Sequence, residues 1–494
     1  MPKFRLLSKN GGAASCLHLA ADYLSTCRLN HGDLCRQLAN VMLPARLVDV
    51  GPQDGSRPPI LVETRGKQGV FAALSYCWGK ESFMALELSN IRNFKRQIPM
   101  GQLPATVRDA IILTRWLGIP YLWVDSLCIL QGNQPEACKD WEETAGDMVS
   151  IYGSAFLTIA ATGSSSADEG LFRDRLGQDA PCCRVPLSRI HGNTIHFGKH
   201  QRVLHQTTPR CEKPLAQRGW AFQEKVLSHR VLSYGYRGLE WSCPSATYAE
   251  FQYMPVEKDS EPVSPKDLRS QWTSLVEEYS ARDLTRLTDR LPAIQGLAQF
   301  LCDETKHCYL LGLWRDQLQQ QLLWRHKGQN REGTWFHRRQ TTYRAPTWSW
   351  ASVDGGVVFL HKDAAPTSIF PFSVRRVDTT LLEVIARIKN VTAIQYKITG
   401  KNYGVFRPVE GMPPTLETYL DDLEEIPEDH RGQVTDSMPE INDVWFMFVT
   451  ADSGIILLKE NRNDSQWTKS KWLLWPQVLR SPFVTNFRRI SVPL

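Results

Sequence analysis

Two carboxylates and one arginine are the side chains of this sequence best suited to chemistry. Asp125 sits in the apolar stretch Tyr121-Leu-Trp-Val-Asp-Ser-Leu-Cys-Ile129, and Glu224 closes the run Arg218-Gly-Trp-Ala-Phe-Gln-Glu224. A carboxylate near a reacting carbon can stabilise the positive charge of an oxocarbenium-like transition state. Arg218 is planar and permanently charged, which suits it to hold a phosphate. The same residues also fit a structural role. Arg218 and Glu224 would then pair to fix their own segment, and Asp125 would cap the turn that follows it. On residue type alone the structural role is the commoner outcome.

Other reactive residues make weaker cases. Ser75 and Cys77 lie in one apolar run and His229 follows the Arg218–Glu224 segment, but no Gly-x-Ser-x-Gly elbow surrounds Ser75 and no partner carboxylate is set by spacing. Cys27, His31 and Cys35 recur every four residues, so three zinc-ligand types could share one helix face. Gly32 and Asp33 interrupt that helix, and the fourth ligand is open between Cys16 and His18. Small buried thiols beside a capping histidine are the reading adopted, so no metal is expected. The sequence has no Walker-type loop and no Gly-x-Gly-x-x-Gly fingerprint, which leaves NTPase and dehydrogenase chemistry without support.

The elements that would carry these residues are legible over 70–162. Val70 to Trp78, ended by Gly79, predicts a buried strand. Pro104 opens a helix with Val107, Ala110, Ile111, Thr114 and Leu117 on one face, stopped by Gly118 and Pro120. Tyr121 to Ile129 predicts a second strand. A helix from Glu136 to Tyr152 places Trp141, Ala145, Met148 and Tyr152 together, and Phe156 to Ala161 predicts a third strand. Apolar strands alternating with helices predict an α/β fold, a three-layer and mostly parallel sheet. Ligands of such sheets bind beyond the carboxyl ends of the strands. Those ends carry Ser75, Tyr76 and Cys77, and Asp125, Ser126 and Cys128. Ser75 and Tyr76 are therefore the candidates to touch a bound cofactor.

The 494 residues exceed what one core usually serves, and 42% hydrophobic residues with sixteen tryptophans indicate a folded chain. The expected division is an N-terminal segment over 1–65, a central domain over 66–250 and an α+β, β-rich region over 270–494. A Pro- and Ser-rich linker is expected at 255–268. In the last region Leu311, Trp314, Leu318 and Leu322 predict an amphipathic helix, and alternating Leu382, Val384, Ala386 and Ile388 predict a strand. Glu417 to Asp429 reads as a solvated acidic loop. A net charge of +6 is a mild excess over this length, and the basic group His337-Arg338-Arg339 is short. Nucleic acid is not an expected partner. No signal peptide or membrane span is visible, and twelve cysteines without a leader fit reduced thiols in the cytoplasm.

Five blocks of this sequence resemble a known family. Phe71-Ala-Ala-Leu-Ser-Tyr-Cys-Trp-Gly79 is similar to the opening signature of fungal heterokaryon incompatibility (HET) domains. Leu103-Pro-Ala-Thr-Val-Arg-Asp-Ala110, with Tyr121 to Ile129 and Gln131, resembles the second block. Trp141, Ala145, Met148, Ile151 and Tyr152 resemble the third, and Gly170-Leu-Phe172 with Arg175 the fourth. Arg218 to Glu224, with Leu227 and Ser228, resembles the last, and Glu240-Trp-Ser-Cys243 follows where the family has a similar cluster. Asp289 to Ala298 and Arg344 to Ser352 resemble segments that follow the domain. The resemblance implies non-self recognition and programmed cell death, with another incompatibility protein as partner. It also implies a distant likeness to TIR domains, some of which cleave NAD. NAD or another nucleotide is then a candidate ligand, with Asp125, Arg218 and Glu224 catalytic. A catalytically inactive interaction protein is the alternative, because the family pattern has a glutamate where this chain has Thr144.

Overall fold

The computed structural model describes residues 8–174 apart from 9, 33–34 and 36–39, then 183–186, 194–197, 214–257 apart from 237 and 251–255, 265–327, and 344–359 apart from 347. Beyond 359 it describes the strands alone. Arg175, the His337-Arg338-Arg339 group and most of the acidic stretch at 417–429 lie outside the described residues. The chain forms two units, Met1–Ser264 and Pro265–Leu494.

The first unit is built on a nine-stranded sheet. Its strands in chain order are β1 (Arg46–Asp49), β2 (Ile60–Glu63), β3 (Phe71–Ser75), β4 (Tyr121–Trp123), β5 (Leu157–Ala160), β6 (Val231–Gly235), β7 (Gly238–Ser242), β8 (Ala246–Ala249) and β9 (Val256–Glu257). In space they run β9-β8-β7-β6-β5-β3-β4-β1-β2. Every residue of β3 and of β5 is buried, as expected of strands covered on both faces. The strands of residues 46–63 belong to this sheet and pair onto β4 through β1.

The sheet is mixed rather than mostly parallel. β4–β3, β3–β5 and β5–β6 are parallel, whereas both flanks are antiparallel. The flanks are joined by short connections, which only antiparallel neighbours allow. A tight turn at Gly238, with φ of 104°, links β6 to β7.

Helix α1 (Ala14–Asn30) packs on β7. Helix α2 (Ala105–Trp116) joins β3 to β4. Its buried face is Val107, Ala110, Ile111 and Thr114, as the sequence spacing predicts, and Gly118 at φ 69° lets the chain leave it. After β4 comes α3 (Asp125–Cys128), a single turn. The predicted strand to Ile129 therefore stops at Trp123. Cys128 N–H donates to Val124 O at 2.7 Å and Ile129 N–H to Asp125 O at 3.0 Å, which coils the segment. No breaker residue marks that bend.

Helix α4 (Pro135–Ser154) starts with proline in its first turn and buries Met148, Ile151 and Tyr152. Trp141 is 38% exposed, with its ring edge against Trp220, and so departs from the predicted face. Helix α5 (Trp220–Leu227) precedes β6 and packs on α4.

The chain moves from β3 to β4 on one side, then back across β3 to β5. Right-handed crossovers in opposite directions put α2 and α4 on opposite faces. The reversal leaves a crevice at the carboxyl ends of β3 and β5, the preferred ligand position in such sheets.

The second unit has helices at Trp272–Ser280 and Pro292–Thr305 and strand pairs Tyr309–Leu310 with Leu313–Trp314 and Trp324–His326 with Val357–Phe359. Trp272, Trp314, Trp324, Trp348 and Trp350 are all under 2% exposed. The helix predicted over 311–322 is absent except for Leu318–Gln321. Gly312, at φ 107°, makes a turn there instead, and its carbonyl accepts from Trp272 Nε1 at 2.8 Å and Trp350 Nε1 at 2.9 Å. Two long-range indole bonds outweigh the local helical spacing. From Ser373 onward the described strands pair antiparallel, Leu382–Val391 with Ser373–Val377, Val444–Phe448 and Phe487–Val492.

Candidate functional site

Ser75 is the last residue of β3 and lies on the β3–β5 crevice, where its carbonyl accepts from Ala161 N–H at 2.9 Å. Its hydroxyl donates to Glu224 Oε2 in a short hydrogen bond. Glu224 arrives from α5, and both side chains are buried. Tyr152 of α4 adds to the same point. Its hydroxyl donates to Leu74 O at 3.1 Å and lies near enough to Glu224 to oppose the rise of its proton affinity.

Asp125 opens α3 at the end of β4. One carboxylate oxygen accepts from Trp78 Nε1 at 2.8 Å and the other from Ser126 N–H at 2.6 Å. Tyr76 bridges the two strand ends, because its hydroxyl donates to Ser126 Oγ at 2.8 Å and lies in hydrogen-bond reach of Asp125. The guanidinium of Arg218 donates to Tyr76 O. It attracts both Asp125 and Glu224. The candidate residues from four segments thus converge: Ser75 and Tyr76, Asp125, Arg218 and Glu224.

Burial dominates the electrostatics. It pushes the Glu224 carboxyl above the usual range, against the pull of Arg218 and the Ser75 hydrogen bond, and Asp125 adds a further push upward. Burial likewise raises Asp125, whose residue keeps some exposed surface while its carboxylate is enclosed. Arg218 and the Trp78 and Ser126 hydrogen bonds oppose that rise. Burial works against the charge on Arg218 as well, yet Glu224, Cys77, Asp125 and Tyr76 outweigh it and hold Arg218 above its ordinary value. Cys77 is raised by burial, with Arg218 opposing, so its thiol stays protonated and is a poor nucleophile.

The chemistry available is that of two carboxyls with raised proton affinity beside one fixed cation. Such a set can stabilise a cationic sugar carbon, take a proton from water and hold a phosphate. Gln223 is a further polar group of this region that residue type did not single out. Its Oε1 is buried with no hydrogen-bond partner among the described residues. A surface pocket of about 440 Å³ lies elsewhere, in the second unit, lined by Lys306, His307, Arg315 and Asp316 among others, and holds none of these residues.

Other motif residues hold the frame. Asp109 of α2 accepts from Leu171 N–H and Phe172 N–H, both at 2.9 Å, through one oxygen. Gly170 sits at φ 80°, and a Cβ there would lie 2.8 Å from the same oxygen. Gly79, at φ 86°, leaves room for Ser166, whose Cβ would be 2.6 Å from an added Cβ.

Residues 71–224 match the family model described as heterokaryon incompatibility protein (HET). The chain carries a HET domain. No curated protein and no solved structure matches it. The matched segment opens at the first residue of β3 and closes on Glu224, so the domain's boundaries coincide with the two elements that meet at Ser75 and Glu224. Within the HET domain, the Thr144 hydroxyl is used locally, donating to Asp140 O at 2.8 Å. Sequence reasoning missed Trp78 and Ser126 as the partners of Asp125, and Tyr152 as a partner of Glu224. All three lie in the blocks that resemble the family.

Proposed function

We propose that this protein acts in heterokaryon incompatibility as a module that triggers programmed cell death in fungal cytoplasm when an incompatible partner is met. The observation that carries the reading is the HET match, whose motif blocks supply every residue of the converged site. No helix among the described residues is long and apolar enough to cross a membrane. Another incompatibility protein is the partner this reading requires.

A second reading is favoured by the site itself: hydrolysis of the nicotinamide–ribose bond of NAD or of a related nucleotide, on a TIR-like sheet. Buried carboxyls and a buried cation are a poor way to stabilise a fold, and perturbed groups of this kind cluster at functional sites. Arg218 would bind a phosphate. The Glu224 carboxylate would face the sugar carbon as the carbon–nitrogen bond breaks and the electron pair leaves with neutral nicotinamide. Water would then attack that carbon while Asp125 takes its proton, giving ADP-ribose, nicotinamide and one released proton. Ser75 and Tyr76 would line the bound ligand.

The two readings are compatible, since loss of NAD kills cells. They separate on the purified full chain. The enzymatic reading expects NAD consumption that falls at least about a hundredfold in Glu224→Gln and Asp125→Asn proteins, both checked for folding by circular dichroism. No turnover at high protein concentration, with wild-type expression still killing fungal cells, leaves a signalling module without this chemistry.

A further inference from the structure

A second group of reactive side chains meets on the β7 flank of the sheet. Cys27 lies on α1, His31 directly follows that helix, Cys35 comes four residues later, and Cys243 directly follows β7. One ligand atom from each lies within 4.8 Å of every other. We propose that Cys27, His31, Cys35 and Cys243 form a structural zinc site that ties the N-terminal helix to β7.

The spacing can accommodate a tetrahedral ion. Zinc bonds of about 2.3 Å to sulfur and about 2.0 Å to nitrogen put tetrahedral sulfurs roughly 3.8 Å apart and sulfur and nitrogen roughly 3.5 Å apart. His31 Nδ1 and Cys243 Sγ are separated by 3.3 Å. The surrounding groups suit a metal too. His31 Nε2 is 2.8 Å from Tyr248 OH, and the two rings are parallel within 2°. That contact engages Nε2 and leaves Nδ1 facing the three sulfurs, the outer hydrogen bond that metal-bound histidines use. Cys35 Sγ has Ser245 Oγ at 3.4 Å. Arg230 is 1% exposed and places Nε 3.3 Å from Cys27 Sγ. Three thiolates and Zn²⁺ carry one net negative charge, and this guanidinium balances it.

Four protein ligands leave no position for water, and the three sulfurs are buried, so the site is structural rather than catalytic. It also accounts for the chain path. Gly32 at φ 61° ends the helical course just after His31, and no atom lies within 4 Å of an added Cβ, so the turn itself requires the glycine. The expected fourth ligands are engaged elsewhere: Cys16 Sγ contacts Glu250 Oε1 at 3.5 Å, and His18 packs edge-on against Trp116. The fourth ligand is Cys243, 212 residues from His31, at the end of the Glu240-Trp-Ser-Cys243 cluster.

The test is metal analysis of the full chain, expressed with zinc and purified without chelator or histidine tag. One zinc per chain is expected, released in step with modification of three thiols. A cobalt-substituted protein should show the intense visible bands of tetrahedral thiolate coordination. Cys243→Ser and Cys27→Ser should lose the metal, whereas Cys16→Ser and Cys138→Ser should retain it. Since the first two variants can fail to fold, the cobalt spectrum and thiol titration of wild-type protein stand as independent readouts. Wild-type protein that folds with less than about a tenth of an equivalent of zinc and gives no cobalt spectrum overturns the site. So does a Cys27–Cys243 disulfide found by peptide mapping under non-reducing conditions.

Discussion

Replacing Glu224 by glutamine separates a site kept for chemistry from an ion pair kept for stability. The amide can accept from Ser75 Oγ as the carboxylate does, so shape and that hydrogen bond persist. Only the charge is lost. Because burial holds the folded-state affinity of Glu224 for its proton above that of the unfolded chain, the folded protein binds more protons. Stability from this group is then complete below the unfolded value and declines as pH rises through the folded one. The slope is at most about 1.4 kcal/mol per pH unit for one group. Glu224→Gln has no such decline. The variant and wild type should therefore be about equally stable near pH 4, with the variant gaining steadily as pH rises from there and staying ahead at pH 7. Asp125 is shifted the same way by burial and bends both curves; its repulsion of Glu224 is mutual, so loss of the Glu224 charge adds to the variant's gain as pH rises.

Urea denaturation of the full chain, followed by tryptophan fluorescence at half-unit pH steps from 4 to 8, measures the difference. Trp123 and Trp241 of the first unit are buried and report its unfolding. A variant less stable than wild type by more than about 1 kcal/mol at pH 7 would refute the reasoning. Arg218 would then more than offset the burial of Glu224, and the pair would be a structural bridge.

Two other substitutions test how the frame is held. Asp109→Ala strands the Leu171 and Phe172 amides, both buried or nearly so, and should cost about 2–5 kcal/mol in urea unfolding. A cost under about 0.5 kcal/mol would mean that water or another group replaces the carboxylate. Trp350→Phe keeps the ring edge-on to Tyr279 but removes the donor to Gly312 O, and a loss of about 1 kcal/mol in the second unit is expected. Equal stability would show that the Trp272 indole suffices to hold that turn.

The parts of the fold that were legible in the sequence are those specified locally. β3, α2, α4 and β5 are unbroken apolar runs or faces bounded by Pro104, Gly118 and Pro135, and their limits fall within a few residues of the expected ones. The parts that were not legible depend on distant partners. Tyr121 to Ile129 contains no breaker, so the coil after Trp123 is invisible until the Trp78 indole is seen to hold Asp125. The antiparallel flanks depend on which edges the chain returns to, which periodicity does not encode. Leu311 to Leu322 has helical spacing, but indoles from Trp272 and Trp350 fix a glycine turn in its midst. Asp125, Arg218 and Glu224 were visible as residues because charged groups in apolar runs stand out. Their convergence was not visible, and neither was the approach of Cys243 to Cys27.

The end of β3 is where the separate blocks become one device. Tyr152 binds the carbonyl of Leu74, Ala161 that of Ser75 and Arg218 that of Tyr76, so three consecutive carbonyls are held by three different segments. Two of those anchoring residues, Tyr152 and Arg218, also act on Glu224, both opposing the rise of its proton affinity. Backbone position and carboxyl electrostatics are thus set by the same side chains. Displacing any one of them moves the Ser75–Glu224 contact and changes the proton affinity of Glu224 together. A site assembled in this way tolerates little independent drift among its parts, which is the mechanical requirement for holding reacting groups at fixed separation. The matched HET segment runs from β3 to α5. Neither the strand end nor the carboxyl is correctly placed without the helix and turn that lie between them.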